Sequence, residues 1–313
     1  MPHLPTRLAH EFKNPIAFGS VGTAVALAFG ADSRLLAIGG NQATVDLWDA
    51  HEGEQIGALS GHKSNKVLNT VFSLAFSPDG QLLASGGNDK TVRLWRASDG
   101  ECVSVVSGFA GAVQRLAFHP RARVLAAADD DAVRLFDIDA GVSTPVPLPD
   151  GDINALAFSP DGSTLAVAAG GKSKRASHAV ALVDPASGQT IRTIENPDYP
   201  ARGVAFSPDG RILAAVSRSG AEIHLWDTAS WQITRTLKVP GLDFAVQVAF
   251  SSQGALGAAC GSKVHLWDLA TEERPVAAKV AYRKYGEVET LAFSPDGQLL
   301  ATCRRAMAVH IFR

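Results

Sequence analysis

The chain has 313 residues and balances 29 Lys and Arg against 31 Asp and Glu, a formal net charge of −2, which leaves no global basic footprint for nucleic acid or anionic lipid. Hydrophobic residues at 46% and charged residues at 19% can fill a large core, and no run approaches the roughly 18 apolar residues of a membrane span. The start, MPHLPTRLAHEFKNP, has no apolar stretch of the secretory kind, and Cys102, Cys260 and Cys303 are too scattered for a disulfide framework or zinc cluster; a cytoplasmic protein without a cofactor is expected.

From the N-terminus, a short segment, Arg7 to Phe18, precedes the first repeat and belongs to no unit of its own. The repeat is a β-branched or Leu residue followed by Ala and Phe, starting at Leu27, Leu74, Leu116, Leu156, Val204, Val248 and Leu291. Its phenylalanines, Phe29, Phe76, Phe118, Phe158, Phe206, Phe250 and Phe293, lie 47, 42, 40, 48, 44 and 43 residues apart. A period of about 40 to 45 residues is that of one four-stranded propeller blade.

Each unit spells out its strands in order. After the Ala-Phe strand comes a turn, clearest as Ser77-Pro78-Asp79-Gly80 and repeated from Ser159, Ser207 and Ser294. Pro presets φ, Asp caps the turn and Gly accepts positive φ. An apolar second strand such as Leu82 to Gly87 follows, then a third that alternates with period two, Thr91-Val92-Arg93-Leu94-Trp95. Asp49, Asp137, Asp184, Asp227 and Asp268 end third strands, and a more polar fourth strand follows, as at Glu54 to Leu59 or Gln232 to Leu237. The seventh unit reaches only its third strand, Val309 to Arg313, so its fourth is expected from within Arg7 to Phe18, closing the ring and covering two sheet edges. The expected architecture is all-β: one seven-bladed β-propeller of four-stranded antiparallel blades, spanning residues 1–313 as one domain.

Trp48-Asp49, Trp226-Asp227 and Trp267-Asp268, with Gly61-His62 ahead of a repeat, resemble the WD-repeat β-propellers over nearly the whole chain. In that family a His, a Ser or Thr, an Asp and a Trp of one blade form a hydrogen-bonded chain, and here blade two alone carries all four: His62, Ser85, Asp89 and Trp95. The same letters could spell a catalytic triad, but Ser is committed inward and no oxyanion donor is evident, so a structural tetrad is the better reading. Thr302 keeps the hydroxyl in blade seven, whereas Ile38, Ala127, Val167, Ala215 and Ala259 take its place elsewhere.

The resemblance also implies a top face, formed by the loops entering each inner strand and by the hairpins between second and third strands, where partners bind. Gln114, Arg115, Asn154, Arg202, Gln247 and Glu289 are expected around the channel mouth there. Blade four is about six residues longer than blade one between its Phe and its Asp, placing Lys172, Lys174 and Arg175 on a protruding hairpin. Arg218, Arg304 and Arg305 fall in equivalent hairpins, and Arg283 and Lys284 in the loop entering blade seven. Together they describe either a basic rim for an acidic peptide, phosphopeptide or polyanion, or ordinary solvated turns. His224, His265 and His310 share one repeat position, as Cys260 and Cys303 are taken to do, and residues one blade apart are too distant for a zinc ion or a disulfide. No metal ligand set, phosphate loop or free nucleophile emerges. The leading expectation is a monomeric, non-enzymatic scaffold for protein or peptide partners in signalling or complex assembly, without membrane contact and with nucleic acid disfavoured. The alternatives are an enzyme or small-molecule binder at the channel mouth, and a polyanion binder on the rim.

Overall fold

Four short strands joined by tight turns pair within each repeat before any contact between repeats is needed, and the fold follows from that locality. In the computed structural model the described residues are 5–6, 8–13, 24–63, 70–148, 151–170, 179–196, 200–217, 222–239, 245–270, 276–278, 288–304 and 308–313. Their strands form seven antiparallel four-stranded sheets, and six of these run in simple chain order. Blade two is representative, with strands Val71–Phe76, Leu82–Gly87, Val92–Arg96 and Cys102–Val106 from the inside out. The inner strands pack around a central channel, with Ala24–Phe29 against Val71–Phe76 and against Val288–Phe293 closing the circle.

Blade seven is the exception in chain order. Its sheet runs Val288–Phe293, Leu300–Arg304, Ala308–Phe312 and then Leu8–Lys13, so the N-terminal strand is its outermost. Phe12 sits opposite Val309 and Lys13 opposite Ala308. Two further links tie blade seven to blade one: Asp296 N donates to Ser33 Oγ at 3.0 Å, and Arg313 Nη2 donates to the His51 carbonyl at 3.3 Å.

The core is a set of wedges between blades. Because successive side chains of a strand point to opposite faces, Phe29 packs with Leu299, Ala301 and Ile311 of blade seven, whereas Ala28 packs with Val71, Leu83 and Trp95 of blade two. In six of the blades, all but blade three, the Ala-Phe pair thus serves two wedges. Third-strand aromatics complete six of them and Val183 the wedge between blades three and four, with Trp95 and Phe312 almost wholly buried. Burying one such large apolar side chain contributes about 1.5 to 3 kcal/mol. Outer strands bury single residues such as Leu59, Ile194 and Leu237 in the wedges and leave others in solvent, with Ile56 and Ile191 61% and 60% exposed.

The Ser-Pro-Asp-Gly turn is built as its residues dictate. Ser77 Oγ donates to Asp79 Oδ1 at 2.5 Å and accepts from Leu82 N at 2.9 Å, while Gly80 has φ of +70°. Ser159 and Ser207 accept from Thr164 and Ile212 in the same way. Two blades depart. In blade three His119 takes the Ser position: Nδ1 accepts from Arg121 N and Ala122 N, and Nε2 reaches the Gly162 carbonyl of blade four at 3.0 Å. A Cβ on Gly162, whose φ is +79°, would lie 2.3 Å from that ring. In blade six the turn Ser251-Ser252-Gln253-Gly254 is one residue shorter, because Ser251 N closes on Ala255 O where Ser77 N closes on Leu82 O.

That shorter turn corrects two expectations drawn from counting along the chain. Phe250 pairs with Leu256 and Val248 with Ala258, whereas Leu74 pairs with Ser85 and Leu291 with Thr302. Ala258, not Ala259, therefore holds the hydroxyl position of blade six. Cys260 and Cys303 are not equivalent, for Cys260 pairs with Ala245 and Cys303 with Thr290.

Candidate functional site at the channel mouth

The channel encloses about 970 Å³ and is lined by the early residues of all seven inner strands. A local irregularity sets what those residues present. In six blades the pairing of first and second strands slips by one residue, between Ala24 and Ala26, Val71 and Ser73, Ile153 and Ala155, Ala201 and Gly203, Ala245 and Gln247, and Val288 and Thr290. A bulge of this kind leaves one residue unpaired and re-aims its side chain. The skipped residues are Val25, Phe72, Asn154, Arg202, Val246 and Glu289, and every one lines the channel. Gln114, four residues before its Phe as these are, lines it in blade three. At this one position the mouth is therefore uneven: polar in blades three, four and five, apolar in blades one, two and six, and acidic, through Glu289, in blade seven.

Several mouth residues hold the ring together. Gln247 Oε1 accepts from Leu291 N of blade seven at 2.9 Å, and Ser73 Oγ accepts from Leu116 N of blade three at 3.0 Å. Gln114 donates its amide to Asp130. Asn154, 4% exposed, donates Nδ2 to the Gly170 carbonyl at 2.8 Å and accepts from Arg202 Nη1 at 3.1 Å through Oδ1. Arg115 donates from Nε to the Asn154 carbonyl and from Nη1 to the Gln114 carbonyl at 2.8 Å. Neighbouring top loops are stitched by Val113 N to Gly87 O, Ile153 N to Asp130 O and Val288 N to Gly261 O.

The charges at this face are not simply basic. Burial pulls the Arg115 pKa down, and the nearby Arg202 adds to it. Burial raises the pKa of Asp130, helped by Asp131, Asp152 and Asp129. A guanidinium pair inside the mouth thus has an acidic group on the adjoining rim. Lys172, Lys174, Arg175, Arg218, Arg283, Lys284 and Arg305 lie outside the described residues, and of Arg304 only the backbone is described.

The four blade-two residues sit away from the channel in one buried chain. Asp89 Oδ1 lies 2.9 Å from His62 Nδ1, His62 Nε2 lies 2.7 Å from Ser85 Oγ, and Trp95 Nε1 donates to Ser85 Oγ at 2.8 Å. With Nδ1–H donating to the carboxylate, Nε2 accepts from the hydroxyl, which accepts from the indole. Burial pushes the Asp89 carboxyl up, but hydrogen bonds from His62, Lys63 N and Thr91 hold it well below the ordinary carboxylate range. Gly87 must stay small, since a Cβ there would fall 2.7 Å from the imidazole. Ser85 is fully buried, so its hydroxyl reaches no substrate. This chain fastens the top hairpin of blade two to the strand behind it.

Buried side chains at one third-strand position differ around the ring. His224, His265 and His310 stand opposite Ala215, Ala258 and Thr302, each beside the aromatic two residues on. Asp46 takes this position in blade one and Arg93 in blade two. Among the described residues no three His, Cys, Asp or Glu side chains form a group able to hold a metal ion.

Residues 23–313 match the family model described as the IFT122 first β-propeller. The chain is also similar to the WD repeat-containing protein VIP3 of Arabidopsis thaliana, at 30% identity over 131 residues, which is 37% of this chain and 40% of VIP3. The match therefore spans less than half the length of that relative.

Proposed function

Since this chain belongs to the WD-repeat β-propeller family, in the group of the IFT122 first β-propeller, we propose that it is a non-enzymatic scaffold whose top face receives protein or peptide partners. The observation that carries this reading is the division of labour among the repeats. Residues that agree between blades, the Ala-Phe pairs and the third-strand aromatics, are committed to packing. Among those that disagree, the residues four places before each Phe gather at the channel mouth, where bulges turn six of the seven inward. Fixed polar groups on a rigid frame suit recognition, because little order has to be created on binding.

Partners with acidic or phosphorylated segments fit this reading, as does a role in assembling a complex. The guanidinium pair of blades three and five supplies donors for such groups, and the basic residues Lys172, Lys174 and Arg175, which the sequence sets between the second and third strands of blade four, offer more. Affinity capture with the intact ring tests it against two variants: K172Q/K174Q/R175Q on the top and R121Q/R123Q/R211Q on the bottom turns. Partner recovery is expected to fall with the first and hold with the second. Equal recovery by all three proteins would remove this hairpin from the binding face.

A further inference from the structure

Arg115 and Arg202 come from blades three and five, yet both grip the same asparagine of blade four. The Asn154 carbonyl accepts from Arg115 and its Oδ1 from Arg202, while its own Nδ2 is fixed to Gly170 O. Every acceptor in this clamp is neutral. A guanidinium carries five N–H donors, and the hydrogen bonds formed here engage only Nε and Nη1 of Arg115 and Nη1 of Arg202. Both side chains line the channel cavity, so donors remain for whatever enters it. Among the described residues neither arginine is in an ion pair within 4.0 Å; the adjoining Asp130 accepts from the Gln114 amide and acts on Arg115 only at longer range, favouring its charged form.

Two like charges held together in a partly dewatered site repel each other, and a local anion removes that cost. Two planar forks on one rigid residue also match the geometry of an oxyanion, which takes paired N–H donors. We propose that Arg115 and Arg202, clamped on Asn154, form an anchor for one carboxylate or phosphate group carried on a partner segment that enters the channel mouth. The carrier rests on the scaffold reading above; the anchor is a property of the chain alone.

Titration calorimetry of the full chain with pyrophosphate and with citrate tests the anchor and separates phosphate from carboxylate. Saturable binding of at least one anion is expected, weakened tenfold or more in R202Q and less in R202K, which keeps the charge without the fork. R211Q, at an exposed bottom turn, is expected to bind as the wild type does. Asn154→Asp places a carboxylate between the arginines and is expected to abolish binding with both cations intact, which keeps the test open if R202Q does not fold. Absence of binding by the wild type up to millimolar anion, or undiminished binding by R202Q or N154D, overturns the proposal. Capture of partners without anion binding leaves the scaffold and removes the anchor; anion binding without top-face capture does the reverse.

Discussion

At the scale of single residues, the same repeat position has opposite energetic meaning in two blades. Ser85 satisfies both the Trp95 indole and His62, so Ser85→Ala leaves buried polar groups unpaired and should cost about 1 to 3 kcal/mol in denaturant unfolding. Thr302 has the equivalent hydroxyl in blade seven, but its Oγ1 finds no hydrogen-bond partner among the described residues. Thr302→Val should therefore be neutral or stabilise by up to about 1 kcal/mol. The sequence shows that Thr302 keeps the hydroxyl of this position, but the letter alone does not say whether a donor faces it. Asp46 offers a pH test. Burial raises its carboxyl above the ordinary range, so the stability it contributes is present below the unfolded value and lost as pH rises through the folded one. Asp46→Asn should thus raise the melting temperature near pH 7, by on the order of 1 kcal/mol in stability, and this gain should shrink toward nothing below about pH 3.8. A gain that persists at low pH would place its origin elsewhere.

At the scale of strands, legibility in the sequence followed locality. The Ala-Phe phrase, the Ser-Pro-Asp-Gly turn and the Trp-Asp ending each state their own conformation, which is why blades and strand order could be read from the chain. Register could not be read where a turn changed length, as Ser251 to Gly254 shows: counting from Phe250 points to Ala259, and pairing selects Ala258. The bulges were equally hidden, because no residue type marks them; Val25, Phe72, Asn154, Arg202, Val246 and Glu289 have nothing in common but their distance from the next Phe. The polar mouth residues were recognisable as a group, but their commitments were not, since Gln247 and Asn154 bond to neighbours distant in sequence. The N-terminal strand is the element whose removal should matter most. Deleting residues 1–13 exposes the edge of Ala308–Phe312, and melting should fall by several kcal/mol, on the order of 10 °C, with self-association visible by light scattering. An unchanged, monodisperse melt would show that closure does not depend on that strand.

At the scale of the whole molecule, the ring is regular in its packing and irregular at its mouth. Seven wedges of similar construction make a stiff frame, and a stiff frame lets a few divergent side chains act as a fixed pattern. That pattern runs from the polar arc of blades three to five, through the apolar Val246, to Glu289 and then the apolar Val25 and Phe72. A partner that reads it meets the ring in one rotational setting out of seven. Site-specific photo-cross-linking asks this directly, with a photoreactive residue at position 114 at the channel mouth and, separately, at position 298 in an exposed bottom turn. A captured partner is expected to cross-link from position 114 and not from 298; cross-linking confined to 298, or equal from both, would rule out recognition at the channel mouth.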